Sequence, residues 1–293
     1  MPKSLTRDDL YEASAQYGHN TRNWNPKMKP YIYGTKNKVH IIDLQKTVSI
    51  LEEVGKFMTE IGKSKEKIIF VGTKKAAQAA VKEAAQRTQN FFVDVRWLGG
   101  SLTNMRTISL RFKALWNIEN EEKTGKINLR PKKEQILIRK EKEKLERIIG
   151  GIRYMHKLPA AIFVADPIHD EIAVKEARVL KIPVIAICDT NVNPDLVDFV
   201  IPANDDVSES INIIVNYLAE CYAVGADMKL SPSQLRTITP KKEETENKYE
   251  NKYNSERRQF TDNKRTEYKR TEAKTVDTKT SDKKSTEEKL GDK

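Results

Sequence analysis

The stretch IIFVGTKKAAQAAVKEAA, residues 68–85, decides the fold because a continuous apolar run leads directly into a helical pattern. Its opening, IIFVG at 68–72, is apolar without alternation, as in a parallel strand whose two faces are both covered by helices. Apolar residues then recur at helical spacing, at Ala76, Ala80, Val81 and Ala84. The stretch therefore predicts a strand followed by a helix, the repeating unit of an α/β fold.

Four further apolar runs follow this stretch along the chain. They are FFVDV at 91–95, AAIFVA at 160–165, PVIAIC at 183–188 and DFVIP at 198–202. Helical patterns accompany them, at Ile172, Ala173, Ala177 and Leu180, and at Ile211, Ile214, Val215 and Leu218. We therefore expect five core strands in an open, three-layered α/β fold.

The sequence predicts two additions to this core. Upstream, YIYGTKNKVHII at 31–42 predicts a hairpin that turns near Gly34 to Asn37, followed by a helix from about Leu44 to Ile61. Between the second and third strands, a long insertion carries two helical stripes: Met105, Ile108, Phe112 and Leu115, then Ile138, Leu145, Ile148 and Ile152. A turn at Gly125 and a helix start at Pro131 complete a helical hairpin at about 104–152, called the arm below.

The arm is positively charged. Residues 113–150 hold 11 basic and 7 acidic side chains. Such a helix pair is either a solvated structure with ion pairs at helical spacing or a contact for nucleic acid or protein, and both interpretations stay open. We expect the arm to make contacts within an assembly without supporting the sheet, because its own apolar stripes can pack against each other.

The composition favours a polyanionic partner. The chain has 293 residues, with 53 Lys and Arg against 42 Asp and Glu, a formal net charge of +11. An apolar run of about 18 residues that could span a bilayer is absent, and the start MPKSLTRDDL does not resemble a signal peptide. We therefore expect a cytoplasmic protein with no membrane partner. The two cysteines, Cys188 and Cys221, lie in apolar segments and are interpreted as buried thiols.

The composition changes near Pro240. Residues 241–293 contain 16 basic and 13 acidic side chains and almost no apolar ones. Such a segment cannot bury enough surface to offset its ordering entropy. We expect an α/β domain at 1–240 and a disordered C-terminal tail at 241–293 that is dispensable for folding.

An active site is not indicated by the motifs. Ligands of open α/β sheets bind beyond the carboxyl ends of the strands, and those ends carry Thr73, Lys74, Arg96, Asp166, Asp189 and Asp205. The segment 72–75 matches neither dinucleotide nor P-loop glycine patterns. The acids could gather around Mg²⁺ or accept a phosphoryl group, but acids at such positions commonly cap the following helix, so a structural role is the favoured interpretation. HExxH and GxSxG are also absent. We predict no enzyme, catalytic residue, cofactor or metal site.

Basic residues interleaved with aromatics and amides give the stronger signal, which is one for RNA binding. Cations neutralise phosphates, planar rings stack on exposed bases, and amides bond to base edges or ribose hydroxyls. The candidate contacts are His19, Arg22, Trp24, Asn25, Lys27, Lys29, Lys74, Lys75, Arg96, Trp97, Asn104 and Arg106. For Trp24 and Trp97, ordinary core packing remains the alternative.

These same residues carry a resemblance to a known family. The motifs are YGHNTRNWNPKM at 17–28, HIIDLQKT at 40–47, VGTKKAAQ at 71–78, RWLGGSLTNMRTI at 96–108, PAAIFVADPIHDEIAVKEARVLKIP at 159–183 and DTNVNPDLVDFVIPANDD at 189–206. With them, the chain from about Leu10 to Ala226 resembles bacterial small-subunit ribosomal protein two. It departs from the family pattern at Gln16, where a histidine is common, and at Glu209, where an arginine is common.

The resemblance implies a flavodoxin-like sheet in the order 2-1-3-4-5 with a protruding coiled-coil hairpin. It also implies a structural constituent of the small ribosomal subunit that binds ribosomal RNA and neighbouring ribosomal proteins during assembly and translation, protein S-one among them. A homo-oligomer is not needed for that role.

Two other functions compete with this one. The same sheet could serve a nucleotide-binding or phosphoryl-receiver protein, because a fold alone never fixes function. A receiver needs adjacent acids after its first strand, but that position has Gly72, Thr73 and Lys74. The basic arm and the charged tail also fit a free RNA chaperone.

Overall fold

A computed structural model describes residues 4–228 of the chain, so the tail predicted at 241–293 lies outside the described residues. Within them, the strands are β1 (Tyr17–Asn20), β2 (Ile32–Lys36), β3 (Val39–Ile42), β4 (Ile68–Val71), β5 (Phe91–Val93), β6 (Ala161–Val164), β7 (Val184–Cys188) and β8 (Phe199–Pro202). The α-helices are α1 (Arg7–Glu12), α2 (Leu44–Lys63), α3 (Lys75–Arg87), α4 (Met105–Lys123), α5 (Lys132–Ile149), α6 (Glu171–Val179) and α7 (Ser208–Gly225). None of these helices combines the length and the apolar character needed to cross a membrane.

The five predicted core strands form one parallel sheet in the order β5-β4-β6-β7-β8. Numbered along the chain, this is the order 2-1-3-4-5, which confirms the expected flavodoxin-like α/β fold. Every residue of β4, β6 and β7 is buried. Their apolar runs do not alternate because both faces of the sheet are covered.

The two faces of the sheet carry separate apolar clusters. Phe70 of β4 packs on one face with residues of α2, α3 and α7, whereas its neighbours Ile69 and Val71 belong to the other face. Both cysteines are buried, as predicted. The stripe predicted on α6 needs one correction, because Ile172 is 55% exposed. Ala173 and Ala177, four residues apart, face the sheet instead, and Ile172 is rotated by about 100° from Ala173 toward solvent.

A small antiparallel sheet in the order β1-β3-β2 precedes the parallel one. The predicted hairpin is present as β2 and β3, but its turn lies at Asn37 and Lys38, with Gly34 inside β2. Both turn residues have positive φ, 52° and 66°. A two-residue hairpin turn of this hand requires that conformation, and asparagine tolerates it well. The following helix begins at Leu44 as predicted and ends at Lys63.

The arm consists of α4 and α5, joined through Gly125 in a left-handed conformation with φ of 72°. The ion pairs Glu119–Arg153 and Glu122–Lys142 join the two sides of the arm in antiparallel register. The base of the arm does not pack separately from the sheet, contrary to expectation. Leu115 and Ile149 are 1% and 0% exposed and lie in the cluster on the second face of the sheet. The insertion therefore contributes to the core at its base.

Candidate nucleic-acid interface

The N-terminal segment 17–25 lies across the carboxyl ends of the parallel strands. The backbone N–H of His19 donates to Asp189 Oδ1 at 3.1 Å and to Thr190 Oγ1 at 3.0 Å. The N–H of Asn25 donates to the Thr190 carbonyl at 2.7 Å. A Cβ atom at Gly18 would lie 2.7 Å from Thr190 Cγ2, so the backbone approaches too closely for any larger residue. This segment covers the edge where ligands of such sheets usually bind.

Lys74 points into a set of carboxylates at this edge. Its Nζ lies 2.6 Å from Asp206 Oδ1, 2.9 Å from Asp205 Oδ1 and 3.3 Å from Asp166 Oδ2. Burial disfavours the ammonium, but the hydrogen bonds to Asp206 and Asp205 outweigh that effect and raise the pKa of Lys74. The ammonium of Lys74 is therefore paired with carboxylates of its own chain, which leaves it without charge to offer to a phosphate.

His19 also faces acidic partners of its own chain. Its Nδ1 lies 2.8 Å from Asp189 Oδ2, and its Nε2 lies 3.7 Å from Asp206 Oδ2. The hydrogen bond to Asp189 is the largest influence on this imidazole and, against the effect of burial, raises the pKa of His19 to about 9. Burial, reinforced by repulsion from Asp166 and Asp189, raises the pKa of Asp205 to about 7. Among residues 4–228, only the set His19, Asp205 and Asp206 brings three potential metal ligands within 4.8 Å of one another.

The acids at the strand ends act as caps only in part. Asp166 Oδ1 accepts from the N–H groups of Ile168 and His169 at 2.9 and 3.0 Å, as a cap would. Asp205 does not fill this role before α7. The N-cap residue of α7 is Val207, which has no side-chain capping bond, and Asn204 Oδ1 accepts from the N–H groups of Asp206 and Val207 in the turn before the helix, at 2.8 and 3.2 Å. Asp205 therefore has a structural role through its ion pair with Lys74 and not as a helix cap.

At the junction between β4 and α3, the donors of Thr73 are engaged by a protein carboxylate. The N–H of Thr73 donates to Asp170 Oδ2 at 3.2 Å, and the Thr73 hydroxyl donates to Asp170 Oδ1 at 2.8 Å. A Cβ at Gly72 would meet Ala77 and Val81, so this glycine allows the helix to pack closely on the strand. A nucleotide phosphate at this helix start would have to displace the carboxylate of Asp170, which argues against the nucleotide-binding alternative.

Glu176 on α6 organises the loop 97–104 and was missed by the sequence reasoning. Its Oε1 accepts from Trp97 Nε1 at 3.1 Å and from the Gly100 N–H at 2.6 Å. Its Oε2 accepts from the N–H groups of Leu102 and Thr103 and from the Thr103 hydroxyl, at 3.0 to 3.1 Å. Burial alone would raise the pKa of Glu176, but these hydrogen bonds lower it. The signal in the sequence was an acid on the buried face of a helix, next to Ala177.

Trp97 lies inside the core and is 5% exposed. Its ring packs in the cluster on the second face of the sheet, and its N–H is bound to Glu176. The alternative of core packing therefore describes this residue, and it offers no face on which a base could stack. Trp24 is half-buried, with its ring centroid 5.1 Å from that of His40.

Arg96 and Arg106 lie on either side of the loop that Glu176 holds, and both are exposed. Neither forms an ion pair with any of the residues described. Asp94, the nearest acid in sequence to Arg96, pairs instead with Lys82 at 4.0 Å. Asn104 caps α4, because its side-chain oxygen accepts from the Thr107 N–H at 3.3 Å. The loop thus presents two cations without an internal acidic partner.

The remaining candidates divide into two groups. Arg22, Lys29 and Lys75 are exposed and form no ion pair in the part of the chain that the structure describes. Lys27 pairs with the carboxylate of Asp195. The side chain of Asn25 accepts from the Lys27 N–H at 3.0 Å, so it starts the short 3-10 turn that follows. The first group has charge available for a partner, whereas Lys27 and Asn25 have local structural roles.

Comparisons with known proteins agree on one family. A family model described as ribosomal protein S2 matches residues 10–225. Small ribosomal subunit protein uS2 of Mesoplasma florum is 56% identical over 255 residues, which cover 87% of this chain and 95% of the relative. The protein of that name from Mycoplasma capricolum subsp. capricolum is 58% identical over 243 residues, covering 83% of this chain and 84% of the relative. The protein of that name from Spiroplasma citri is 58% identical over 236 residues, which cover 80% of this chain and 66% of the relative.

Proposed function

Because this chain belongs to the ribosomal protein S2 family of structural, non-enzymatic small-subunit components, we propose that its exposed cations, Arg96 and Arg106 first, contact small-subunit ribosomal RNA. The family membership confirms the resemblance found in the sequence, together with the structural role, the absence of enzymatic activity and the cytoplasmic location of a bacterial ribosome. It also implies association with ribosomal RNA and other ribosomal proteins.

One observation carries the proposal for the arginines. The loop between Arg96 and Arg106 is held by a buried carboxylate, Glu176, through hydrogen bonds from several donors. Both guanidinium groups are exposed and lack an acidic partner within residues 4–228. A fixed backbone reduces the conformational entropy lost on binding, and an unpaired guanidinium can bind phosphate oxygens in a bidentate manner.

Other residues extend this surface. Arg22, Lys29 and Lys75 add exposed positive charge, and the half-buried ring of Trp24 remains a candidate for contact with a base. His19, Lys27 and Lys74 have acidic partners of their own, so we assign them to holding the surface in shape.

Neighbouring ribosomal proteins would contact a different part of the chain. The arm exposes large apolar side chains, with Trp116 60%, Leu129 88% and Leu137 59% exposed. Exposed apolar groups of this size fit a protein partner. We infer that the partners include protein S-one, an inference that rests on the family resemblance alone.

The experiment measures incorporation of Arg96→Gln and Arg106→Gln variants into reconstituted small subunits at several salt concentrations. Each lost phosphate contact should reduce the slope of log affinity against log salt by about 0.7 to 0.9. Arg178→Gln is the matched control, because it removes the same charge from α6 and its guanidinium donates to the Asp195 carbonyl at 3.1 Å. Thermal melting of each free variant tests folding. Slopes equal to that of the control for both variants would refute the assignment.

A further inference from the structure

The outer face of α6 carries a row of exposed aliphatic side chains. Ile172 and Val179 are 55% and 73% exposed, and Ile168, in the turn before the helix, is 50% exposed. At about 100° per residue, Ile172 and Val179 point in nearly the same direction, and Lys175 lies between them on the same side. We call Ile168, Ile172 and Val179 the α6 stripe. Single exposed apolar residues need no explanation, but several on one face indicate a binding surface.

The α6 stripe lies between two segments that α6 holds in place. Glu176, on one flank of the helix, accepts hydrogen bonds from the loop 97–104. Arg178, on the other flank, donates to the carbonyl of Asp195 at 3.1 Å. Ala173, behind the stripe, is buried in the cluster on the second face of the sheet. Because the helix is fixed on three sides, a partner that binds the stripe has little backbone to order.

The charge beside the α6 stripe is mainly positive. Lys175, Arg178 and Lys181 are exposed on α6 or in the turn that follows it. Glu171 is the exposed acid of this helix, and it pairs with Lys175 at 2.7 Å. The other acid of the helix, Glu176, is buried. A surface of this kind is complementary to a partner that carries carboxylates beside its apolar residues.

A protein helix matches both properties of the surface better than RNA or the tail of this chain. RNA offers phosphates to the cations, but its apolar surface consists of base faces, which aromatic rings and guanidinium groups usually recognise. Residues 241–293 contain almost no apolar side chains. An amphipathic helix supplies aliphatic groups along one face with carboxylates beside them, and it can pack lengthwise on another helix.

We propose that the α6 stripe binds an amphipathic helix of a neighbouring ribosomal protein, with aliphatic residues on its inner face and Asp or Glu beside them. The aliphatic residues of this partner pack against Ile172 and Val179, and its carboxylates lie near Lys175 and Lys181. The inference rests on membership of the small-subunit family and is independent of the RNA contacts and the arm contacts proposed above. It gives the chain a protein-binding surface apart from the arm.

Thiol labelling tests whether the α6 stripe is covered in the assembled subunit. The two cysteines of the chain are buried, so Ile172→Cys and Val179→Cys each introduce one accessible thiol. A maleimide is added to the free full-length chain and to reconstituted small subunits, and mass spectrometry of the modified peptide gives the rate. We expect labelling of both variants to be at least about tenfold slower in the subunits, because only the uncovered fraction reacts. Val224→Cys, at a 44% exposed position on α7, is the control and should react at similar rates in both states.

Photocrosslinking identifies the partner. Lys175 is replaced by a photoreactive amino acid, the reconstituted subunits are irradiated, and the crosslinked peptide is sequenced by mass spectrometry. We expect a protein segment with aliphatic residues at helical spacing and acids beside them. Adding Ile172→Asp should lower the yield of this product at least about fivefold, whereas Val224→Asp should leave it unchanged. Lys181→Gln should lower the yield most at low salt, and all these variants should enter subunits as the parent does.

Three results would overturn the proposal. The first is labelling of Ile172→Cys and Val179→Cys at the same rates in subunits and in the free chain, which would leave the stripe uncovered. If both thiols were already protected in the free chain, the stripe would be covered by a segment of this chain. The third is a crosslinked product that contains ribosomal RNA, or a protein segment without acids beside its aliphatic residues.

Discussion

Replacing Glu176 with glutamine should destabilise the folded domain although the change removes one charge and almost no volume. In the parent, the two carboxylate oxygens accept five hydrogen bonds from Trp97, Gly100, Leu102 and Thr103. A glutamine keeps one acceptor oxygen. Its NH2 group would face the backbone N–H groups of Leu102 and Thr103, and two donors cannot bond to each other.

The size of the effect follows from the two N–H groups that lose their acceptor. Each buried donor left without a partner costs about 1 to 3 kcal/mol, so Glu176→Gln should lower the free energy of unfolding by about 2 to 6 kcal/mol. For a domain of this size, 1 kcal/mol changes the melting temperature by about 2 to 4 °C. The melting temperature should therefore fall by at least about 4 °C. Hydrogen exchange at Gly100, Leu102 and Thr103 should accelerate more than exchange in the parallel sheet.

Lowering the pH should reduce the difference in stability between Glu176→Gln and the parent. The pKa of Glu176 is lower in the folded protein than in the unfolded chain. A carboxylate of this kind contributes stability that is present above its unfolded pKa, about 4.3, and is lost as pH falls through the folded value. Thermal melting between pH 7 and pH 3 measures this convergence. Glu171→Gln, an exposed position on α6 that pairs with Lys175, is the control and should change stability by less than about 0.5 kcal/mol. If Glu176→Gln had the same melting temperature as Glu171→Gln, the carboxylate of Glu176 would not organise the loop.

Two further predictions concern the packing of the arm and a close contact between backbone segments, and chemical unfolding measures both. Leu115→Ala should destabilise the domain by about 2 to 5 kcal/mol because Leu115 is buried against the sheet cluster, whereas Leu110→Ala, at a 65% exposed position, should cost less than about 0.5 kcal/mol. Equal values for the two variants would restore the expectation that the arm packs separately. Gly151→Ala should cost about 1 to 3 kcal/mol because the new Cβ would overlap the carbonyl oxygen of Phe92. Gly99→Ala, where nothing lies within 4 Å, should be nearly neutral, and a neutral Gly151→Ala would contradict the observed contact.

The strands of the sheet could be predicted because their signal is local. IIFVG and PVIAIC are continuous apolar runs for one physical reason, which is that both faces of β4 and β7 are buried. The arm was found in the same way from two helical stripes. The turn of the hairpin was placed too early because Gly34 is a strong turn former, whereas the actual turn uses Asn37 and Lys38.

The roles of the polar residues could not be predicted because their partners are distant along the chain. Lys74 looks like a phosphate ligand beside a helix start until the fold brings Asp205 to 2.9 Å from its Nζ. Trp97 looks like a stacking platform until its N–H meets Glu176. A basic or aromatic residue at a strand end indicates a polar environment, but sequence alone does not tell an internal partner from an external one. Arg96 and Arg106 remain as predicted candidates because they are exposed and the nearby Asp94 is engaged by Lys82.

The most direct test of the structural role is sedimentation of the full chain in a cell lysate on a sucrose gradient at physiological salt. A structural component of the small subunit that is held by RNA contacts should migrate with small subunits, and a variant carrying both Arg96→Gln and Arg106→Gln should shift toward the top as salt rises. Arg178→Gln should stay with the subunits under the same conditions. If the parent chain remained at the top of the gradient in a lysate with intact small subunits, it would behave as a free RNA chaperone or a separate enzyme, and the account would be contradicted.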